Sequence, residues 1–187
     1  MPATLVLKRL FTVKEYNQMA ESGVIADGER VELIRGEIIK MSPIGRRHAA
    51  CVDFCNYILA HKLGAKVIIR VQNPLSLDNT SEPEPDVMIL KYKDDFYRSG
   101  HPHPSDVFLL IEVADSTIDS DRELKIPLYA EDGITEVWLV DINGDYIEVY
   151  RYPTANGYQE IQKFYRGQNL SILAFPDVSI AVDEILG

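Results

Sequence analysis

The sequence lacks any apolar run that approaches the roughly 18 residues of a membrane-spanning helix. Its first ten residues alternate between apolar and basic side chains, and they contain neither the apolar stretch nor the cleavage site of a signal peptide. From these two absences we expect a cytoplasmic protein with no membrane partner.

Cysteine and metal-spaced histidine are also scarce. Cys51 and Cys55 are the two cysteines among 187 residues, and they stand four positions apart in a helical pattern. This spacing favours two buried apolar side chains over a disulfide, and no second cysteine pair is present to complete a zinc site. The four histidines include no pair with metal spacing on a helix. Nucleophile-elbow, phosphate-loop and dinucleotide-binding motifs are absent as well, which disfavours those enzyme classes.

Positive charge is in the minority, and the net charge is −10. This balance argues against a protein that binds nucleic acid through bulk attraction. It does not exclude a nuclease, because carboxylates at such a site require a metal before they tolerate phosphate. Any DNA contact would use a local basic patch, and the candidates are Arg46-Arg47 with His48, Arg70, and Lys91 with Lys93.

Two acidic residues stand at the ends of apolar runs. Residues 107–111 are all apolar and precede Glu112, while Asp86 opens the apolar run 87–90. Such runs are typical of strands buried on both faces, and an unpaired carboxylate there is costly. Two neighbouring strands could bring Asp86 and Glu112 together, and two hard oxygen ligands suit Mg²⁺ or Mn²⁺. A helix beginning near residue 121 offers Lys125, so the three residues predict a phosphodiester-cleaving site.

The order of elements around these acids predicts a mixed α/β domain that covers residues 1–187. Thr12 and Glu15 form a capping box that starts a helix near Val13, and Arg35-Gly36 marks a hairpin within residues 31–39. Further helices are predicted at 46–62, from Asp119 or Ser120 to about 131 with a kink at Pro127, and at 182–186. Strands are predicted at 66–71, 75–77, 87–90, 107–113, 136–141, 146–150 and 158–165, with short extended pieces at 170–173 and 178–180.

This ordered set of residues resembles the PD-(D/E)XK nuclease superfamily. More closely, it resembles the family of short restriction-endonuclease-like proteins that is often described as a domain of unknown function. The residues that carry the resemblance are 32–37, Met41-Ser42-Pro43 with His48, Glu84-Pro85-Asp86, Ile111-Glu112-Val113, Ser116, Asp121 with Lys125, Tyr129, and 133–141. The resemblance implies a restriction-endonuclease-like core, with a central mixed sheet flanked by helices in the order α-β-β-β-α-β. Extra β-hairpins would lie at the N- and C-terminal ends.

The same resemblance implies a Mg²⁺- or Mn²⁺-dependent endonuclease with metal ligands at fixed positions. Asp86 would be the bridging ligand, Glu112 the second ligand, and the Val113 carbonyl a third oxygen. The alternatives are a turn residue after proline for Asp86 and a salt-bridged strand-end acid for Glu112. Ala114 stands where the superfamily usually has its lysine, so Lys125 is the expected replacement.

The ammonium of Lys125 would stabilise the charge that develops on phosphorus or position the attacking water. The alternative is an exposed lysine that pairs with Asp121, and we expect a partly exposed side chain whose removal costs little stability. Glu32 could approach the metal or pair with a basic residue across its hairpin. His48 could contact phosphate or act as a base, and Gln72 could orient the water. Tyr129 and Trp138 are interpreted as core.

Two other functions stay open at this point. A non-catalytic binding or assembly module on a nuclease scaffold, including one tied to mobile elements, is favoured by Ala114 and by the negative net charge. A metal-dependent hydrolase of small phosphate esters would use the same ligands, and fold analogy alone does not separate these functions. For an endonuclease the partner is DNA, and cleavage of two strands predicts a homodimer.

Overall fold

The computed structural model describes residues 7–115 and 118–187. Ser116, one of the residues that carry the resemblance, therefore lies outside the described residues. The chain divides into two compact units, of which one runs to Pro43 and includes Ser76–Pro83, and the other comprises Ile44–Leu75 and Glu84–Gly187. None of the described helices is both long and apolar enough to cross a membrane.

The first unit contains a capped helix and a two-stranded hairpin. Helix α1 spans Val13–Glu21, and the predicted capping box is present, with Thr12 and Glu15 each accepting the backbone N–H of the other. Strands β1 (Val31–Ile34) and β2 (Glu37–Lys40) are antiparallel. Arg35 and Gly36 both have positive φ, which is the backbone of a tight hairpin turn. A Cβ at position 36 would stand 2.7 Å from that of Leu10, so only glycine fits there.

The second unit is built on a six-stranded mixed sheet with the strand order β3-β4-β5-β6-β7-β8. Its strands are β3 (Val67–Val71), β4 (Val87–Lys91), β5 (Val107–Ala114), β6 (Glu136–Asp141), β7 (Tyr146–Thr154) and β8 (Gly157–Tyr165). β5 and β6 are parallel, and every other neighbouring pair is antiparallel. Strands β7 and β8 therefore extend the central sheet, while β9 (Asn169–Ile172) and β10 (Phe175–Ala181) form the predicted C-terminal hairpin.

One face of this sheet is covered by α2 (Arg46–Leu63) and α5 (Val182–Leu186). The apolar side chains between them form the main core, which includes Cys51, Cys55, Leu59, Ile111, Val113, Trp138, Val140, Ile147, Val149 and Ile185. Both cysteines are free and buried, as their spacing predicts. Burying this apolar surface is the main favourable contribution to folding of the unit, at about 25 cal/mol per Å².

The helical segment that follows β5 departs from the prediction of one continuous helix. It consists of α3 (Ile118–Ser120), a π-helical turn (Asp121–Lys125) and α4 (Ile126–Glu131), and α4 packs against β7 and β8. The N–H of Ile126 donates to the carbonyl of Asp121, five residues back. Pro127 has no N–H and lies in the first turn of α4, where a helix tolerates proline. It therefore follows the irregular turn directly instead of kinking a regular helix.

The predicted strand at residues 75–77 is wrong, because this stretch is irregular and pairs with no neighbouring strand. Pro74 stands immediately before it and cannot donate a hydrogen bond to a strand ladder. Leu75 is nevertheless fully buried. The short apolar pattern therefore indicates that Leu75 is buried, but it does not indicate a β-strand.

Candidate active site

The two acids meet where β4 and β5 pair. Val87 lies opposite Ile111 in this antiparallel pair, so continuing the register by one residue places Asp86 opposite Glu112. The N–H of Val113 donates to Oδ2 of Asp86 over 2.9 Å, which ties the acid to the neighbouring strand. Both carboxylates are almost completely withdrawn from water, with Asp86 7% and Glu112 2% exposed.

Asp86 is held by three donors from three different elements. Besides the Val113 N–H, its Oδ2 lies 3.0 Å from Nε2 of His48, and its Oδ1 accepts a 3.2 Å hydrogen bond from the side-chain amide of Gln72. Burial raises the pKa of the Asp86 carboxyl, but His48, Val113 and Gln72 together outweigh it and leave this pKa below its ordinary value. Asp86 is therefore ionised at neutral pH, as a metal ligand must be.

The positions of His48 and Gln72 follow from local structure. His48 lies in the first turn of α2, which begins at Arg46. Gln72 comes directly after β3 and has a positive φ of 50°, and its backbone N–H donates to the carbonyl of Asp86. A non-glycine residue in this left-handed region costs on the order of 1 kcal/mol, and such strain is concentrated at functional sites.

Glu112 has its own set of partners, which come from the segment after β5. The Oη of Tyr129 donates to Oε1 of Glu112 over 2.5 Å, and the Nζ of Lys125 lies 3.3 Å from the same oxygen. Lys125 is 7% exposed, so the expectation of a partly exposed lysine is wrong. Lys125 is the last residue of the π-helical turn. Ala114, at the position of the usual superfamily lysine, is fully buried.

Glu32 belongs to the first compact unit. It is on β1 opposite Ile39 and is 4% exposed. The residue directly across the hairpin is apolar, and both roles expected of Glu32 stay predictions.

Tyr129 is the site residue whose role sequence reasoning missed. It is fully buried, as expected of core, but its hydroxyl binds Glu112. The spacing of Lys125 and Tyr129 could have predicted this role, because residues four positions apart share one face of a helix. A lysine and a tyrosine hydroxyl on the face that meets a buried acid indicate a polar cluster.

The donor set of this site bears on which metal ion it could hold. Within the ranges 7–115 and 118–187, no group of three or more His, Cys, Asp or Glu side chains has the arrangement of a metal site. Mg²⁺ is commonly bound through one or two carboxylates together with water and substrate phosphate. The opposed carboxylates of Asp86 and Glu112 fit that requirement.

Comparisons with known proteins give a family and a fold for this chain. A family model described as "Putative restriction endonuclease" (Uma2) matches residues 13–183. The crystal structure of a "putative nuclease belonging to DUF820" from Anabaena variabilis is similar with a TM-score of 0.67 and 16% sequence identity, covering 84% of this chain and 90% of that chain. The similarity establishes a shared fold. A search of curated proteins found no significant match.

Proposed function

The chain belongs to the Uma2 family, described as "Putative restriction endonuclease", and from this premise we propose that it hydrolyses DNA phosphodiester bonds with Mg²⁺ or Mn²⁺. The observation that carries the proposal is the arrangement of Asp86, Glu112 and Lys125. One buried carboxylate lies on β5 and the other directly before β4, where these two strands pair, and a buried ammonium lies 3.3 Å from the first. A buried carboxylate and ammonium are costly to desolvate, and such groups are concentrated at functional sites.

Asp86, Glu112 and the carbonyl of Val113 would hold the metal ion. When bound, the ion would polarise the phosphate and lower the pKa of the attacking water. The hydrogen bonds from His48 and Gln72 keep the carboxylate of Asp86 ionised and fix its orientation. Preorganised ligands of this kind avoid the cost of reorganisation when substrate arrives.

Lys125 supplies the positive charge on the protein side of the reaction. Its ammonium stabilises the negative charge that develops on the phosphate oxygens in the transition state. The hydroxyl of Tyr129 shares Oε1 of Glu112 with this ammonium and so limits the positions that the carboxylate can adopt. The lysine that the superfamily places after the strand acid is here supplied from the π-helical turn.

DNA would approach through the basic residues that the fold leaves accessible. Arg46 and Lys91 are exposed. Arg47 and Lys93 are exposed as well, but Arg47 donates to Asn143 and Lys93 pairs with Asp106 at 3.0 Å. Replacing Arg46 should therefore weaken DNA binding more than replacing Lys93, because a paired lysine has less charge to offer phosphate.

A plasmid-cleavage assay with Mn²⁺ tests this function. We expect the wild-type protein to convert supercoiled DNA to nicked and linear forms, and we expect Asp86→Asn to lose this activity. Absence of cleavage by the wild type with Mg²⁺ and with Mn²⁺ would favour the binding or assembly module, which the net charge of −10 also suits. Turnover of p-nitrophenyl phosphate without plasmid cleavage would favour a small-ester hydrolase.

A further inference from the structure

A second buried acid lies in the same row of the sheet as Glu112. Glu112 is paired with Leu139 on β6, and Leu139 is paired with Glu148 on β7. Residues paired in one row share a face, and neighbouring strands are about 4.8 Å apart, so the two acids are separated by roughly 10 Å. The adjacent residues Trp138 and Val140 belong to the core beneath α2 and α5. The row of acids therefore occupies the opposite face of the sheet.

The π-helical turn contacts both acids. Arg122 donates to Glu148 with Nε and Nη2, over 3.2 Å and 3.1 Å, in a two-pronged ion pair. Three residues later in the same turn, Lys125 pairs with Glu112. One irregular turn thus places two cations on two acids of one sheet row. Helical turns of this type are rare and are frequently found at functional sites.

Glu148 has no part in the proposed chemistry, yet its carboxylate has three side-chain partners. It is 3% exposed and accepts hydrogen bonds from Tyr150 and from Arg122, and Lys163 on β8 pairs with the same carboxylate at 3.0 Å. A buried carboxylate is costly unless it is paired and hydrogen-bonded. Arg122 is the partner of Glu148 that belongs to the π-helical turn, whereas Tyr150 and Lys163 lie on strands of the sheet itself.

We propose that the Arg122–Glu148 ion pair fixes the π-helical turn on the sheet and thereby positions Lys125 at Glu112. Arg122 and Glu148 are then positioning residues, and neither touches the reacting phosphate. This inference rests on the proposed nuclease function for its kinetic consequence, but the placement of Lys125 is measurable without any activity. The planar guanidinium suits the task, because two parallel hydrogen bonds fix an orientation that one ammonium contact does not.

The chain offers a matched pair of variants for the test. Arg122→Gln and Lys163→Gln each remove one cation from Glu148 and leave the other in place, but only the first breaks the link to the π-helical turn. We expect Arg122→Gln to lower kcat for plasmid cleavage on the order of 10- to 100-fold, as a misplaced catalytic group does. The affinity for Mn²⁺ should stay unchanged. Lys163→Gln should keep kcat within about twofold, because it leaves the turn attached.

A double-variant cycle separates positioning from general destabilisation. In a Lys125→Ala background, Arg122→Gln should have no further effect on kcat, because no ammonium is left to position. Equal losses of kcat in Arg122→Gln and Lys163→Gln, or an undiminished loss in the Lys125→Ala background, would overturn the inference while leaving the nuclease function standing. If Arg122→Gln does not fold, Arg122→Lys replaces it, and an intermediate loss of kcat is expected.

A further measurement, by NMR, tests the position of Lys125 without depending on catalysis. The NMR signal of the methylene beside the Lys125 ammonium can be assigned by its disappearance in Lys125→Ala. We expect it to shift in Arg122→Gln and to remain in place in Lys163→Gln. A wild type that cleaves nothing would refute the proposed function, and this signal would then decide the positioning inference alone. An unshifted signal in Arg122→Gln overturns it.

Discussion

The hydroxyl of Tyr129 donates a 2.5 Å hydrogen bond to Oε1 of Glu112, the oxygen that also faces the ammonium of Lys125. A fully buried tyrosine thus serves packing and at the same time orients a proposed metal ligand. Tyr129 and Lys125 belong to one short helical segment, so the geometry of that segment and the geometry of the carboxylate are coupled.

The first prediction concerns this hydroxyl. Tyr129→Phe should lower the free energy of unfolding by about 1.5–3 kcal/mol, because a hydrogen bond to a charged acceptor is lost in the interior. Urea unfolding measures the change. Tyr158→Phe is the matched control, since its hydroxyl donates over 2.8 Å to the neutral carbonyl of Ile134 and should contribute only about 0.5–1.5 kcal/mol. Equal losses in the two variants would argue against a charged Glu112.

The second prediction concerns Lys125. Lys125→Ala should slow Mn²⁺-dependent plasmid cleavage on the order of 100-fold or more, which is the usual cost of losing one charge-stabilising donor. Because Lys125 is buried beside Glu112, its removal should also destabilise the fold by about 3–5 kcal/mol, in contrast to the small cost expected from the sequence. Thermal unfolding supplies the stability control, and unchanged cleavage would exclude a catalytic role.

The sequence predicted the strands of the site but not the helical turn that carries Lys125. The strands next to Asp86 and Glu112 were predictable, because runs of apolar residues are typical of buried strands. The π-helical turn was not predictable, because apolar periodicity does not distinguish a regular helix from one with an extra residue in a turn. The burial of Lys125 and the ion pair of Arg122 both depend on that turn.

The positive φ of Gln72 was likewise hidden from the sequence. Nothing in its own residue type favours a left-handed backbone, and tertiary contacts with Asp86 determine it. Local patterns therefore located the acids, while the orientation of their partners depended on contacts between segments far apart in the chain.

The third prediction concerns how the contribution of Glu148 to the free energy of unfolding depends on pH. Burial raises the pKa of this carboxyl, but Tyr150, Arg122 and Lys163 outweigh it and leave the folded-state pKa below its ordinary value of 4.5. The stabilisation is therefore fully present above about pH 4.5 and is lost as the pH falls through the folded-state pKa. The difference in unfolding free energy between wild type and Glu148→Gln should be large at pH 7 and should shrink at pH 3. A difference that does not vary with pH would contradict the ionised pair.

The fourth prediction is a homodimer. Cutting both strands of DNA favours two active sites related by a twofold axis, and closed dimers are the commonest oligomers. The β1–β2 and β9–β10 hairpins are the candidate interfaces. Light scattering at micromolar concentration should give twice the mass of the chain, and a strictly monomeric mass would count against this arrangement.

The central claim is that Asp86 and Glu112 form one divalent metal site, and calorimetric titration with Mn²⁺ tests it most directly. Wild-type protein should bind one ion per chain, and Asp86→Asn and Glu112→Gln should each weaken binding by at least about tenfold. Glu136→Gln is the control, because Glu136 is a fully buried acid of the same sheet that pairs with Arg151. It should retain wild-type affinity. Equal Mn²⁺ affinity in the wild type and Asp86→Asn would contradict the site.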